Sequence, residues 1–102
     1  MNAAATTLQQ LGGSNRLKVM IGAKDFMSAN AGATLMFKFS GSKIASYVKI
    51  TLNDKDLYDI EFQKIGRRQG RLDAWKTGSF EDVGVENLKG TIERFTGLYL
   101  SI

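Results

Sequence analysis

Apolar and polar residues alternate in four stretches of this chain, and that pattern limits the possible folds more than any other feature. Successive side chains of a strand point to opposite faces of a sheet, so a two-residue period predicts strands with one buried face. The alternating apolar positions are Leu17, Val19 and Ile21; Leu35, Phe37 and Phe39; Val48, Ile50 and Leu52; and Tyr58, Ile60 and Phe62. A weaker alternation over 71–76 indicates a fifth strand. We therefore expect an antiparallel sheet of four to five strands between residues 16 and 77.

The third and fourth stretches should form a hairpin. Only a short polar segment joins them, and its residues are common in turns. That segment is Asn53, Asp54, Lys55 and Asp56. In such a hairpin Lys49 would lie on the outer face across from Asp59 or Glu61, and this pairing would help to set the register of the two strands.

A short helix is predicted near the N-terminus. Residues 3–11 are rich in Ala, Leu and Gln, which favour helix, and Gly12 and Gly13 follow them as a stop signal. A helix of about nine residues is not stable alone in water. Leu8 and Leu11 should therefore dock on the sheet or on a partner.

An amphipathic helix is predicted over 79–97. One apolar stripe of this helix is formed by Val85, Leu88, Ile92 and Phe95. Ser79 and Asp82 resemble a capping box at its start. Because Gly84 is unfavourable inside a helix, a helix that begins only after Gly84 is the alternative.

The chain reads as one α+β domain. Its 102 residues are too few for two independent cores, and a sheet with helices at both ends of the chain is typical of this class. The expected segments are an N-terminal helix with its stop at 1–13, strands at 16–77 and a helix at 79–97. Gly97 should end that helix, and the apolar tail 98–102 should dock on the core.

The chain contains no Cys and no His. Disulfides, thiolate metal sites and cysteine nucleophiles are thereby excluded, and the commonest metal ligand and general base are missing. No run approaches the roughly 18 apolar residues of a membrane span, and the N-terminus lacks a signal segment. We expect a non-enzymatic cytoplasmic protein that uses no cofactor, no metal and no membrane.

An acidic cluster is the main candidate for catalysis. Its members are Asp54, Asp56, Asp59 and Glu61. Some metal-dependent nucleases place an acid before a Glu-x-Lys element whose carboxylates hold Mg²⁺, but here Lys64 comes one place too late. A turn and the solvent face of a strand explain the cluster better, and a magnesium nuclease using Asp59 and Glu61 is a minor alternative.

The net charge of the chain is concentrated in one segment. The 14 basic and 10 acidic residues leave a net charge of +4, and residues 64–76 carry the same net charge with Asp73 as their one acid. The candidate binding residues are Lys64, Arg67, Arg68, Arg71, Trp75 and Lys76. A cationic loop of this kind attracts phosphate backbones or an acidic protein surface, although a merely solvated loop is the alternative. Trp75 suits a stacking platform, an interface anchor or a cover for the edge of the core.

Four strings of residues, in this order, resemble a family of small proteins encoded by bacteriophages and integrative mobile elements. The strings are GAKDF at 22–26, YVKITLN at 47–53, LYDIEF at 57–62 and TGLYL at 96–100. The resemblance runs from about residue 8 to the end of the chain. It implies a common fold, since the matching strings are mostly strand and turn, and it transfers no active-site residue.

The resemblance also implies a setting in a bacterial host. Short accessory proteins of phages often act by stoichiometric binding, and some inhibit host defences such as CRISPR nucleases. We therefore expect a binding protein that acts as an anti-CRISPR-like inhibitor, with a host defence protein or ribonucleoprotein as its partner. Because the chain is basic, mimicry of DNA is disfavoured. The alternative is an accessory protein that binds DNA or RNA in phage replication or regulation.

Overall fold

The computed structural model describes residues 3–98 and 100, without the side chains of Ala3 and Arg68. The helices are α1 (Ala3–Gln10), α2 (Ser14–Ile21) and α3 (Val85–Thr96), with a 3-10 turn at Asn30–Gly32. The strands are β1 (Lys24–Ala29), β2 (Thr34–Lys38), β3 (Tyr47–Leu52), β4 (Tyr58–Arg68) and β5 (Arg71–Val83). None of the helices within these described residues is long and apolar enough to cross a membrane.

The five strands form one antiparallel sheet in the order of the sequence, β1-β2-β3-β4-β5. The predicted α+β class is therefore confirmed. The hairpin of β3 and β4 is also confirmed, and Asn53 shapes its turn by accepting the backbone N–H groups of Lys55 and Leu57 on its side-chain oxygen. Lys49 lies directly across from Glu61, as the outer-face pattern predicts.

All three helices contribute to one core on the same face of the sheet, and we call the other face the open face. The largest fully buried side chains of the core include Phe37, Phe62, Leu11, Leu17, Ile50, Ile60 and Leu88. The helix α1 lies against β2 and β3. Leu11 is completely buried and Leu8 packs against the core, so both leucines dock as expected.

The alternating stretch 16–21 forms a helix, so the strand predicted there is wrong. Leu17 and Ile21 are buried in the core, whereas Val19 is 84% exposed. A spacing of four places Leu17 and Ile21 on one helical face, and three alternating residues are too few to separate this pattern from a strand. Gly22, in the left-handed conformation with φ 64°, ends the helix.

The first strand is β1, which the sequence pattern does not predict. Its pairing with β2 is irregular between Lys24 and Met27, where Asp25 has a φ of 56°. The irregularity breaks the two-residue period. Phe26 packs on Phe37 with 5.2 Å between ring centroids, while Met27 is exposed.

The C-terminal helix begins at Val85 and not at residue 79. Residues 79–83 belong to β5, where Ser79 lies across from Glu61, so no capping box forms. The alternative start after Gly84 is therefore correct. Leu88 and Ile92 of the predicted stripe are buried, but Val85 is 47% exposed because it lies in the first turn.

The described residues of the tail beyond Gly97 dock on the core. Leu98 packs against the core and Leu100 is buried. The Leu100 N–H donates a hydrogen bond of 2.8 Å to the Glu93 carboxylate, which joins the tail to α3. The remaining tail residues, at 99, 101 and 102, lie outside the described residues.

Candidate nucleic-acid interface

The last two strands extend beyond the rest of the sheet. Strand β3 pairs with β4 only as far as Gln63, whereas β4 and β5 stay paired through to Arg68 and Arg71. We call residues 64–76 the basic arm. The cationic segment, expected as a loop, is therefore a two-stranded ribbon with a fixed register, and the fifth strand predicted at 71–76 is confirmed as part of β5.

A tight turn closes the basic arm. Gln69 and Gly70 connect its two strands, with φ values of 51° and 79°. Positive φ at both central residues is the mark of a type I′ turn, whose twist matches the twist of a hairpin. Glycine adopts this conformation freely. The tip is thus a defined two-residue turn that follows the last residue pair of the ladder, Arg68 and Arg71.

Two hydrogen bonds donated to the loop before β3 anchor the base of the arm. The Ile65 N–H donates to the Ser46 hydroxyl at 3.0 Å, and the Lys64 ammonium donates to the carbonyl oxygen of Ser42 at 3.3 Å. The Ser42 hydroxyl itself donates to the carbonyl of Thr96 at the end of α3. The part that projects freely therefore starts at residue 66.

The two faces of the arm differ in chemistry. One face carries the partners Lys64 and Trp75, then Gly66 and Asp73, then Arg71. The other continues the open face and carries Gln63 and Lys76, Ile65 and Ala74, then Arg67 and Leu72. The single acid of the arm thus lies on the face of Trp75, and the face of Arg67 has two cations and no carboxylate.

Trp75 packs along the arm and is half-buried. A Cβ atom on Gly66 would lie 3.4 Å from the indole atom Cη2, so the ring covers the glycine of the neighbouring strand. An aromatic ring over a strand glycine supplies packing that the glycine lacks. Trp75 therefore stiffens the arm, a role that the sequence alone did not suggest.

Three cations of the arm are exposed to solvent: Arg67, Arg71 and Lys76. The ion pairs found within residues 3–98 and 100 join Lys38 to Asp25 and Lys55 to Asp82, and neither involves the arm. The Asp73 carboxylate accepts the N–H of its neighbour Ala74 at 2.8 Å.

The structure thus brings five of the candidate side chains together on one ribbon. They are Lys64, Arg67, Arg71, Trp75 and Lys76. The backbone of Arg68 belongs to the same ribbon, and its side chain lies outside the described part of the structure.

Leu72 is a surface residue that the sequence analysis missed. Its alternation with Asp73 suggests an inward position, but its side chain is 76% exposed on the open face, directly across from Arg67. The signal available in the sequence is its position between Arg71 and Asp73, two residues after the turn glycine. Such a position lies near a hairpin tip, beyond the reach of a core.

The acidic residues of the minor nuclease alternative have structural partners. Asp59 accepts hydrogen bonds from the Asn53 amide and from the backbone N–H of Asp82, both at 3.1 Å. Glu61 accepts the Gln63 amide at 2.7 Å. Among the residues that the structure describes, no three acids come together in a group that could hold a metal ion.

The carboxylates near the arm still shape the local electrostatics. A shallow depression on the open face is lined by three acids and two lysines: Asp59, Glu61, Glu81, Lys49 and Lys76. Burial, with a smaller contribution from the charge of Glu61, raises the pKa of the Tyr47 phenol above its ordinary value. The open face next to the arm therefore carries three carboxylates beside two lysines, one of which, Lys76, belongs to the arm.

Comparison of the chain with family models, curated proteins and solved structures found no match.

Proposed function

We propose that this protein is a non-enzymatic binding protein and that its basic arm binds nucleic acid. The observation that carries the proposal is the placement of charge. The basic arm has the same net charge as the whole chain and projects as a two-stranded ribbon. Its exposed cations Arg67, Arg71 and Lys76 form no ion pair with a described carboxylate.

Phosphate backbones are the ligands that such a ribbon suits best. Cations that neutralise phosphates release condensed counterions, and this release drives association. A projecting arm can approach a nucleic acid while the carboxylates that line the depression on the body stay at a distance. The local concentration of positive charge also accelerates encounter by steering.

Removal of two arm cations tests the proposal. We expect Arg67→Ala with Arg71→Ala to weaken binding of a labelled duplex by about tenfold or more, because both side chains would contact the ligand. Fluorescence anisotropy at fixed salt measures the affinity. The matched control is Arg16→Ala with Lys18→Ala, which removes the same charge from exposed positions on α2 and should change affinity by less than about twofold.

Equal weakening by the two double variants would contradict the role of the arm, because only the net charge would then matter. Absence of any binding to duplex or single-stranded DNA or RNA would contradict the proposed function itself.

For the biological setting we propose, from the resemblance to phage and mobile-element proteins, an anti-CRISPR-like inhibitor in the cytoplasm of a bacterial host. The arm would then contact a ribonucleoprotein or its nucleic acid. Protection of phage in a strain with an active CRISPR system tests this setting. If the wild-type protein protects and the Arg67→Ala, Arg71→Ala variant does not, inhibition acts through the arm; if neither protects, replication or regulation is the setting to pursue.

A further inference from the structure

We propose that the basic arm enters the major groove of B-form DNA and that Arg67 and Leu72 contact base edges there. This inference rests on the proposed function, because it names the ligand and the mode of contact for the same arm. Its support comes from the dimensions of the arm, the chemistry of its two faces and the position of one exposed leucine.

The length of the arm matches the depth of the groove. Beyond the anchor at Ile65, three residue pairs precede the turn, and at about 3.4 Å per residue they span about 10 Å. The major groove is about 8.5 Å deep. The tip therefore reaches the groove floor when the anchored base meets the sugar-phosphate backbone.

The thickness of the arm selects the major groove. A sheet layer with its side chains is about 10 Å thick, as judged from the spacing of packed sheets. The major groove of B-form DNA is about 12 Å wide and admits a two-stranded ribbon, whereas the minor groove is about 6 Å wide. In A-form RNA the major groove is deep and narrow. The arm therefore fits duplex DNA and is excluded from duplex RNA.

Of the two faces, the face of Arg67 carries the residues near the tip that meet the bases. Its cations are Arg67 near the tip and Lys76 at the base, and no carboxylate of the arm lies on it, whereas the opposite face holds Asp73. Lys76 lies four residues from Leu72, about 13 Å along the strand, which places its ammonium near the groove rim and the phosphates.

Leu72 and Arg67 are directly paired across the two strands, so their side chains lie side by side on the same face close to the tip. An arginine forms bidentate hydrogen bonds to O6 and N7 of guanine, and an apolar side chain packs on the methyl group of thymine. An exposed leucine beside an exposed arginine offers both contacts to adjacent base pairs. This assigns a role to Leu72, which makes no contribution to the core.

Modified bases test each contact separately. The probes are a short DNA duplex that the protein selects from a randomised pool, the same duplex with uracil for thymine, and the same duplex with 7-deazaguanine for guanine. Uracil lacks only the methyl group, so wild-type affinity should fall about fourfold for each contacted methyl. Leu72→Ala should lose this sensitivity to uracil. The 7-deazaguanine duplex lacks N7, so it should weaken the wild type and leave Arg67→Ala unaffected.

The controls use exposed residues elsewhere. Val19 is even more exposed than Leu72, so Val19→Ala should keep the wild-type response to both modified duplexes. A duplex of the same sequence in RNA should bind at least about tenfold more weakly than DNA. Circular dichroism should show an unchanged fold for Leu72→Ala, because the side chain is exposed.

The outcomes separate this inference from the proposed function. If the wild type binds DNA with salt-dependent affinity but responds to neither modification, or binds duplex RNA equally well, groove insertion is wrong while nucleic-acid binding by the arm stands. If Leu72→Ala keeps the uracil effect, the assignment of Leu72 is wrong. If no nucleic acid binds at all, the proposed function fails first.

Discussion

At the scale of single residues, Gly78 decides how α3 meets the sheet. The ring of Phe95 stacks on Phe62 with 4.4 Å between centroids and also touches Phe80. A Cβ atom on Gly78 would lie 2.6 Å from two atoms of the Phe95 ring. The contact between the helix and the last two strands therefore depends on a residue without a side chain.

A pair of glycine variants tests this packing. We expect Gly78→Ala to lower the free energy of unfolding by about 1–3 kcal/mol, because the added methyl group must displace the Phe95 ring. The matched control is Gly90→Ala in the middle of α3, where a Cβ atom would meet nothing within 4 Å. That change should raise the free energy of unfolding by about 0.5–1 kcal/mol, through the lower helix propensity of glycine.

Urea unfolding followed by tryptophan fluorescence measures both changes. Equal effects of the two substitutions, or a stable Gly78→Ala protein, would show that Phe95 does not pack over Gly78. Because Trp75 lies on the arm, far-ultraviolet circular dichroism should accompany the fluorescence so that the signal reports the whole sheet.

At the scale of elements, regular alternation predicts the strands β2, β3 and β4 and the hairpin that joins two of them. The helix α1 is also predicted, from its composition and from the two glycines that follow it. The errors have physical causes. Three alternating residues in α2 fit a helix as well as a strand, because Leu17 and Ile21 are four apart. The irregular pairing at Asp25 hides β1.

Irregular pairing also hides most of β5. Phe62 pairs with Gly78 and Gln63 with Lys76, so Thr77 is an extra residue that shifts the alternation. A sequence pattern read without this shift cannot assign Leu72 and Trp75 to the correct faces. The charge of the candidate site and its strand at 71–76 were therefore visible in the sequence, whereas the extension of β4 to Arg68 and the assignment of the two faces were not.

We expect the protein to fold without the projecting part of the basic arm. Of residues 66–73, those whose side chains the structure describes contribute none to the core, and Ile65 and Ala74 are direct partners. We expect replacement of 66–73 by Asn-Gly, a favoured two-residue turn, to change the free energy of unfolding by about 1 kcal/mol or less. Duplex binding should be lost in the same protein. Thermal unfolding and fluorescence anisotropy measure the two effects.

Failure of the shortened chain to fold would contradict this separation, since the arm would then support the core. Folding with full retention of binding would instead place the interface on the body.

At the scale of the whole molecule, charge is divided between the body and the arm. The body has balanced charges and several carboxylates near the base of the arm, while the arm carries the net charge of +4. The helices cover one face of the sheet and form the core with it. The two longest strands, β4 and β5, extend past the other strands and carry the cations of the arm. Such a division allows a ligand to be bound by the arm without burial of the body.

The dependence of affinity on salt tests this division most directly. Fluorescence anisotropy should be measured with a labelled DNA duplex over a series of salt concentrations, for the wild type and for Arg71→Ala. Two phosphate contacts, by Arg71 and Lys76, predict a slope of log K against log salt of about −1.8, and loss of Arg71 should reduce its magnitude by about 0.9. A slope near zero, or one that Arg71→Ala leaves unchanged, would contradict binding of nucleic acid by the basic arm.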